Sequence, residues 1–325
     1  VKDEARKLDN MEIAITKYEP WMESQVCDLF ALNYDIDSTD FRRFFRAFYE
    51  EEFQMERNVR LAALDGKKVV GFQSFFYWPV QHDGRHVNAY QSGNSLVHPD
   101  YRGMRIFGRL LKYGDEVLDE KEAELLIGFP VDASLGSFVR KGWNADVKLQ
   151  WWIKPMGLLN FFRRRKNDAE EVHDKEVKNT SSGITSDWSQ AFIKWRKGYH
   201  NVTYYQLSVA YQNESLTLIV KPSVRARYIQ ELIIGEVYCS TEDATACAAL
   251  WKQVRKELQK KFKGYHMLSF ACNANSDRAI DRAMISGGLI RIRKQIHCVF
   301  RSLSDDLQLP DTHKWYFYRG DIDTW

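Results

Sequence analysis

The run over residues 89–143 restricts the fold of this chain more than any other stretch. A strand ends at Asn94-Ser-Leu-Val97, and the turn His98-Pro-Asp-Tyr-Arg-Gly-Met-Arg105 follows it. An amphipathic helix over residues 106–121 comes next, then an apolar strand over 124–129. This β-turn-α-β order sets a glycine-bearing, basic turn at a helix N-terminus. Unpaired backbone N–H groups and the positive end of the helix dipole converge there, which suits a phosphate or pyrophosphate.

The flanks extend the unit. Residues 11–17 alternate as a first strand. Glu19-Pro-Trp opens a helix through Val26, Leu29, Phe30 and Leu32, and Asp37-Ser-Thr-Asp caps a second through Phe41, Phe44, Phe45 and Phe48. Asp65-Gly66 joins strands over 57–64 and 67–78 as a hairpin, and His82-Asp-Gly-Arg marks another turn before the strand over 87–97. A helix over 134–141, with Ser134 as its cap, and a strand over 148–154 complete the stretch.

Residues 155–187 break the pattern with Arg163-Arg-Arg-Lys166, a mixed-charge run and Asn179-Thr-Ser-Ser-Gly, and read as a linker. The basic run is a solvated segment or a contact for phosphate or acidic lipid. Beyond it the logic repeats. A hairpin over 208–220 precedes a strand over 227–240 that ends at the cap Ser240-Thr-Glu-Asp. A long helix, a strand over 265–271, a helix over 277–286 closed by Gly287-Gly288 and a strand over 289–301 follow. Gly128-Phe-Pro-Val-Asp-Ala-Ser parallels Phe270-Ala-Cys-Asn-Ala-Asn-Ser, so the chain reads as a diverged internal duplication. The acids of the second turn stand where a phosphate would sit, so the second copy is expected to bind none.

Composition fits two α/β domains. The chain has 325 residues, 44% of them hydrophobic, enough for real cores. A net charge of +3 is too mild to point to nucleic acid. No apolar run reaches the roughly 18 residues of a membrane span, and the first residues carry no signal-like apolar stretch. Five scattered cysteines form no CxxC pair, so no metal site and a reducing, cytoplasmic setting are expected.

At Val97-His-Pro-Asp-Tyr-Arg-Gly103 the chain resembles the GNAT superfamily of N-acetyltransferases. Their acetyl-CoA motif reads roughly V-x-P-x-Y-R-G-x-G-x-G/A, then x-x-L-L, and Val97, Pro99, Tyr101, Arg102, Gly103, Leu110 and Leu111 match it. The resemblance covers residues 11–154, and the whole chain if the second half is a degenerate copy. It implies an α/β fold with a mixed sheet and two GNAT-like acyl-CoA N-acyltransferase domains in tandem. These would be residues 1–154, a linker over 155–187, and a degenerate domain over 188–325 with an aromatic tail. It also implies that Arg102, Gly103, Met104, Arg105, Ile106, Phe107 and Gly108 cradle the CoA pyrophosphate, with Leu96 and Val97 meeting the pantetheine.

The chain departs from the family in specific places. Arg105 and Phe107 stand where the family has glycine, and Gly108 lies one residue past the usual small position. Phe138 stands where many members carry a tyrosine acid, and a phenyl ring donates no proton. Ser134 or Ser137 could donate a hydrogen bond instead. The base is open among a polar wall of Gln91, Ser92, Asn94 and Ser95, the carboxylate of Asp132, and the tail Trp315-Tyr-Phe-Tyr-Arg-Gly-Asp-Ile-Asp-Thr-Trp. In some multi-domain relatives the chain end reaches the acyl site, which singles out Asp321, Asp323 or the terminal carboxylate. The candidate catalytic set is therefore Asn94, Ser134 and Asp323. The expected reaction moves an acetyl group from acetyl-CoA to the primary amine of a small molecule, for which an amino sugar is the first guess. A non-catalytic CoA- or partner-binding module, and an aminoacyl or peptidyl transferase using charged tRNA, stand as alternatives.

Overall fold

The structure, a computed structural model, describes residues 12–172, 183–200 and 202–324. The start of the strand expected over 11–17, the Asn179 to Ser182 run and the terminal carboxylate lie outside these.

The first half contributes strands β1 (Ile13–Lys17), β2 (Val59–Asp65), β3 (Lys68–Tyr77), β4 (Val80–His82), β5 (Arg85–Val87), β6 (Ala89–Val97), β7 (Leu125–Gly128) and β8 (Asn144–Pro155). Its helices are α1 (Glu23–Tyr34), α2 (Ser38–Tyr49), α3 (Glu52–Met55), α4 (Ile106–Asp119) and α5 (Asp132–Val139). Short strands β9 (Lys166–Asn167), β10 (Glu170–Glu171) and β11 (Ile184–Ser186) follow within the stretch read as a linker, then α6 (Gln190–His200). The second half adds β12 (Tyr205–Tyr211), β13 (Glu214–Arg225), β14 (Ile229–Cys239), α7 (Ala244–Lys261), β15 (Phe262–Lys263), β16 (Met267–Asn273), α8 (Ala279–Ser286) and β17 (Ile290–Ser302).

One twelve-stranded sheet runs through both halves in the order β1-β2-β3-β6-β7-β17-β8-β16-β14-β13-β12-β10. Its symmetry shows the duplication. β6 pairs in parallel with β7 across α4, and β14 pairs in parallel with β16 across α7. The closing strands are exchanged. β8, which ends the first half, pairs with β16, and β17, which ends the second, pairs with β7. The two meet antiparallel at the centre.

Local chemistry explains the elements that position the site. Asp37 caps α2 by accepting from the Thr39 and Asp40 amides at 2.8 and 3.2 Å. The helix then buries Phe41, Phe45, Phe48 and Tyr49 on one face. Helix α5 begins earlier than its sequence suggested: Val131 is the N-cap, and Ser134 sits inside the first turn with its Oγ donating to the Val131 carbonyl at 3.1 Å. The expected Ser134 cap is thus corrected; the preceding Pro130 and an acidic first residue already favour a start at Asp132.

Helix α6 was not read from the sequence. Its Phe192, Trp195 and Tyr199 are buried at helical spacing, and the Trp195 ring packs 5.0 Å from Phe48 while its Nε1 donates to the Phe48 carbonyl at 2.9 Å. The tail after β17 is held by two 3-10 turns, and Trp315 to Tyr318 are buried. β14 and β16 stop pairing after Ile234 and Phe270, and Tyr318 bridges to Cys272 beyond that point. Arg278 donates from Nη1 to the Val237 carbonyl at 3.1 Å and to the Tyr318 hydroxyl at 2.7 Å. The chain's own tail therefore fills the opening in the second half. No helix among the described residues is long and apolar enough to cross a membrane.

Candidate active site

In the first half the equivalent opening is lined differently. β6 and β7 pair from Ala89–Leu125 to Ser92–Gly128, and β6 then projects alone through Gly93 to Val97. The His98 amide donates to the Val70 carbonyl at 2.9 Å, so strand alternation turns the Val97 N–H toward the opening. Opposite β3, Phe72 faces Leu96 while Ser74 faces Gly93, leaving Asn94 and Ser95 together against Gln73. That is a β-bulge, and Asn94 takes a left-handed φ of 50° in it.

The polar wall of β6 is largely self-satisfied. Asn94 Nδ2 donates to the Tyr49 hydroxyl at 2.8 Å, which shares a 2.6 Å bond with Ser74 Oγ. Gln73 donates to Ser92 Oγ at 3.0 Å and accepts from Ser95 Oγ at 2.5 Å. Burial pushes the Tyr49 hydroxyl far above its ordinary range, so it stays protonated. Asn94, through its side chain, fixes the bulge.

Past Val97 the turn is anchored from both sides. The Tyr101 hydroxyl donates to Asp65 Oδ2 at 2.7 Å, and Arg102 Nη2 donates to Asn33 Oδ1 at 2.6 Å. Gly103 has φ 87°, a conformation glycine adopts without strain, and Arg105 follows with φ 58°. Among the described residues no carbonyl accepts from the amides of Gly103 to Gly108; the first such bond runs from the Arg109 amide to the Arg105 carbonyl at 3.1 Å. These amides open on a groove of about 780 Å³ that Val97 also lines, closed opposite by Ala133, Ser137, Arg140 and Lys141. Arg102, Arg105, Arg109, Arg140 and Lys141 line it, and no carboxylate does. A pyrophosphate fits such a groove by charge and by donor direction.

Each substituted position has a definite place. The Phe107 ring meets Phe138 edge-on at 5.5 Å and forms a wall of the groove. Phe138 in turn packs 4.9 Å from Trp143, so it acts by packing. Gly108 faces Lys141, and Ile106 is buried beneath the turn. Leu96 and Met104 are half-buried against the first-half core. Ser134 does not line the groove, whereas Ser137 does. Asp132 is exposed and accepts from His297 Nε2 at 3.1 Å.

A second cavity, about 650 Å³, opens on the other side of β6. Phe30, Tyr34, Ile36, Phe41 and Phe44 line it with Asp37 and Asp40, and Asn94 and Thr324 complete the wall. Val97 on the groove and Asn94 on this cavity are three residues apart, about 10 Å of strand. The tail reaches this cavity through Thr324. A Cβ on Gly93 would stand 2.8 Å from the Phe76 ring and 3.3 Å from Asp323 Oδ2, so glycine here makes room chiefly for Phe76 and the tail carboxylate lies close against the bulge. The Asp323 amide donates to Gln91 Oε1 at 3.2 Å, and its carbonyl accepts from the Tyr199 hydroxyl at 3.0 Å and His200 Nε2 at 2.6 Å. Burial raises the Asp323 carboxyl above its usual range, partly opposed by Arg196 and Arg319. Burial also pushes His200 down to about 3, so it donates as a neutral ring. Asp321 turns the other way: its carboxylate accepts from the Tyr318 amide and is pushed up to about 7, chiefly by burial.

Residues 16–145 match the family model of the acetyltransferase (GNAT) domain. No curated protein sequence matches the chain. Among solved structures, a GCN5-related N-acetyltransferase from Anabaena variabilis superposes with a TM-score of 0.64 at 12% identity, over 90% of this chain and 73% of that one. One from Kribbella flavida gives 0.60 at 13% identity, over 90% and 71%. N-myristoyltransferase of Saccharomyces cerevisiae with bound myristoyl-CoA gives 0.52 at 8% identity, over 97% and 92%. Residues 16–145 are thus a GNAT acetyltransferase domain, and the likenesses to the solved structures bear on the fold of the whole chain, two GNAT-like domains in tandem.

Proposed function

We propose that the protein transfers an acetyl group from acetyl-CoA, held in the groove of the first half, to the primary amine of a small molecule held in the aromatic cavity. One observation carries the reading: β6 projects alone between a cationic groove and a second cavity, with the Asp323 carboxylate against its bulge at Gly93. The amides of Gly103 to Gly108, with Arg105 and Arg140, hold the pyrophosphate. Leu96 and Val97 present their main chain to the pantetheine, and a β6 amide polarises the thioester carbonyl. Asp323 removes a proton from the entering ammonium; the free amine attacks the carbonyl carbon, the C–S bond breaks, and the nitrogen gives up its second proton to solvent as the amide forms. Placement of both reactants on one strand end supplies the entropic part of the rate. Tyr101 lines the groove but donates its hydroxyl to Asp65, so the leaving sulfur takes its proton from solvent or from a hydroxyl on the groove wall such as Ser137.

The acceptor class that suits the cavity is an amino sugar. The cavity's aromatic lining suits a pyranose, with Phe44 and Tyr34 beside the stacked Phe30–Phe41 pair, and Asp37 and Asp40 offer acceptors to an ammonium or hydroxyls. The test has two stages. Acetyl-CoA should raise the melting temperature, and thiol release should follow with glucosamine and related amines before amino acids or peptides. Absence of a shift with every acyl-CoA sinks the reading; a shift without thiol release from any amine reduces the protein to a binding module.

A further inference from the structure

The basic run singled out in the sequence is left unused by the acyl site. Arg163, Arg164, Arg165 and Lys166 are all exposed, and so are the two rings before them; Phe162 is 88% exposed. The run is not a free linker. Its backbone lies on Gly264, where a Cβ would stand 2.8 Å from the Arg163 carbonyl oxygen. Lys166 pairs with Lys263 between β9 and β15. The Phe161 ring stacks 4.2 Å from His266, and Arg165 Nη1 donates to Gln230 Oε1 at 3.1 Å.

Gln230 belongs to β14, so the run sits beside the β13–β14 hairpin turn. There Ala226 and Arg227 take left-handed φ of 49° and 68°, and the turn holds out Arg227 and Tyr228, the latter 78% exposed. Three separate segments thus bring exposed rings and cations to one end of the second half. Asp168, paired with Lys166 at 2.9 Å, is a carboxylate beside the run; Glu170 and Glu171 follow it, exposed on β10, and Glu231 on β14 pairs with Arg225. The run itself sets four cations in succession in a chain whose net charge is only +3. Phe162 and Tyr228 have no ring partner among the described residues.

We propose that this face docks on an anionic lipid bilayer, with Phe162 and Tyr228 entering the headgroup boundary and the Arg163 to Lys166 run, Arg227 and Lys263 contacting lipid phosphates. Large exposed rings flanked by cations favour an interface that is apolar on one side and anionic on the other. A nucleic acid would use the cations equally, and it is the competing outcome.

The full chain is sedimented with vesicles of phosphatidylcholine, alone or with one third phosphatidylglycerol, at low and high salt. Binding is expected only to the anionic vesicles and should weaken with salt. Each basic residue removed, as in Arg163→Ser and Arg164→Ser, should weaken it roughly five-fold. The pair Phe162→Ser and Tyr228→Ser should weaken it about ten-fold or more at unchanged charge. All four side chains are exposed, so melting temperatures should hold and acyl-CoA binding should be unaffected. Wild-type protein left in the supernatant with anionic vesicles overturns the proposal. So does equal binding by the ring variants, or tight binding of a single-stranded RNA oligomer that the vesicles do not compete.

Discussion

Replacing Asp323 by Asn tests the assignment of the base at the level of single atoms. The substitution keeps the side chain's shape, and the bonds that fix this residue come from its main chain: the amide to Gln91, and the carbonyl to Tyr199 and His200. The tail should therefore stay in place. Neither Asp321, turned onto the Tyr318 amide, nor Asp132, held on the surface by His297, stands in its place. A general base contributes about 10²–10⁴ in rate, or roughly 2.7–5.5 kcal/mol on the barrier, and the loss in kcat should reach at least the lower bound. The wild-type acid limb of the pH–rate profile should lie above the ordinary carboxylate range, because burial raises this carboxyl, and Asp323→Asn should abolish that limb. Stability should move the opposite way. A carboxyl raised in the folded state favours folding below its unfolded pKa and loses that contribution as pH rises through the folded value. At neutral pH the variant should thus melt no lower than wild type. The assay is thiol release with the best amine of the panel, beside a thermal melt. A kcat/KM within three-fold of wild type and an unchanged pH profile would refute the role; lost turnover together with lost folding would make the tail a structural strap instead.

Three further outcomes follow from the same geometry. Arg105→Ala should raise the Kd for acetyl-CoA about five- to ten-fold at low salt and less at high salt, with kcat nearly unchanged, because it removes a phosphate contact and leaves the amides intact; isothermal titration at two salt concentrations checks it. Phe138→Tyr should not raise kcat two-fold, since the ring is buried between Phe107 and Trp143 and the added hydroxyl costs roughly 1–3 kcal/mol if it finds no partner, which urea unfolding would show. The native fold should lose stability as pH rises from about 4 through about 7, because Asp321 is protonated preferentially when folded, and Asp321→Asn should flatten that slope in denaturant titrations across pH.

The first half of the site is legible in the sequence because its constraints are local. The order strand, Pro99, Arg102-Gly103, amphipathic helix is a statement about neighbours in the chain, and the groove appears where those residues place it. Asp37 capping α2 is local in the same way. What the sequence hides is distant. Nothing near Asn144 or Ile290 says that β8 and β17 will trade halves of the sheet, since both are long strands that suit either partner. The Asn94 amide looks like a substrate group until Tyr49, forty-five residues earlier, is seen to hold it. Arg278 and Tyr318 sealing the second opening, and Asp323 lying close against Gly93, are likewise contacts between remote segments. Helix α6 carried a readable signal, with Trp188, Phe192, Trp195 and Tyr199 at near-helical spacing, and was passed over beside a charged linker.

The exchange of β8 and β17 also sets the order in which the molecule can be completed. β7, already paired with β6 on one side, finds its second partner only when Val299 reaches Gly128 and Ser302 reaches Leu125. A ribosome that has released the whole first half has therefore made a sheet with an exposed edge beside its cofactor groove. That edge is a template for wrong pairing until the last strand emerges. Closure of so distant a contact is slow relative to the hairpins that precede it. Acyl-CoA binding should thus mature after synthesis ends, and the second half is indispensable as the carrier of the strand that finishes the first.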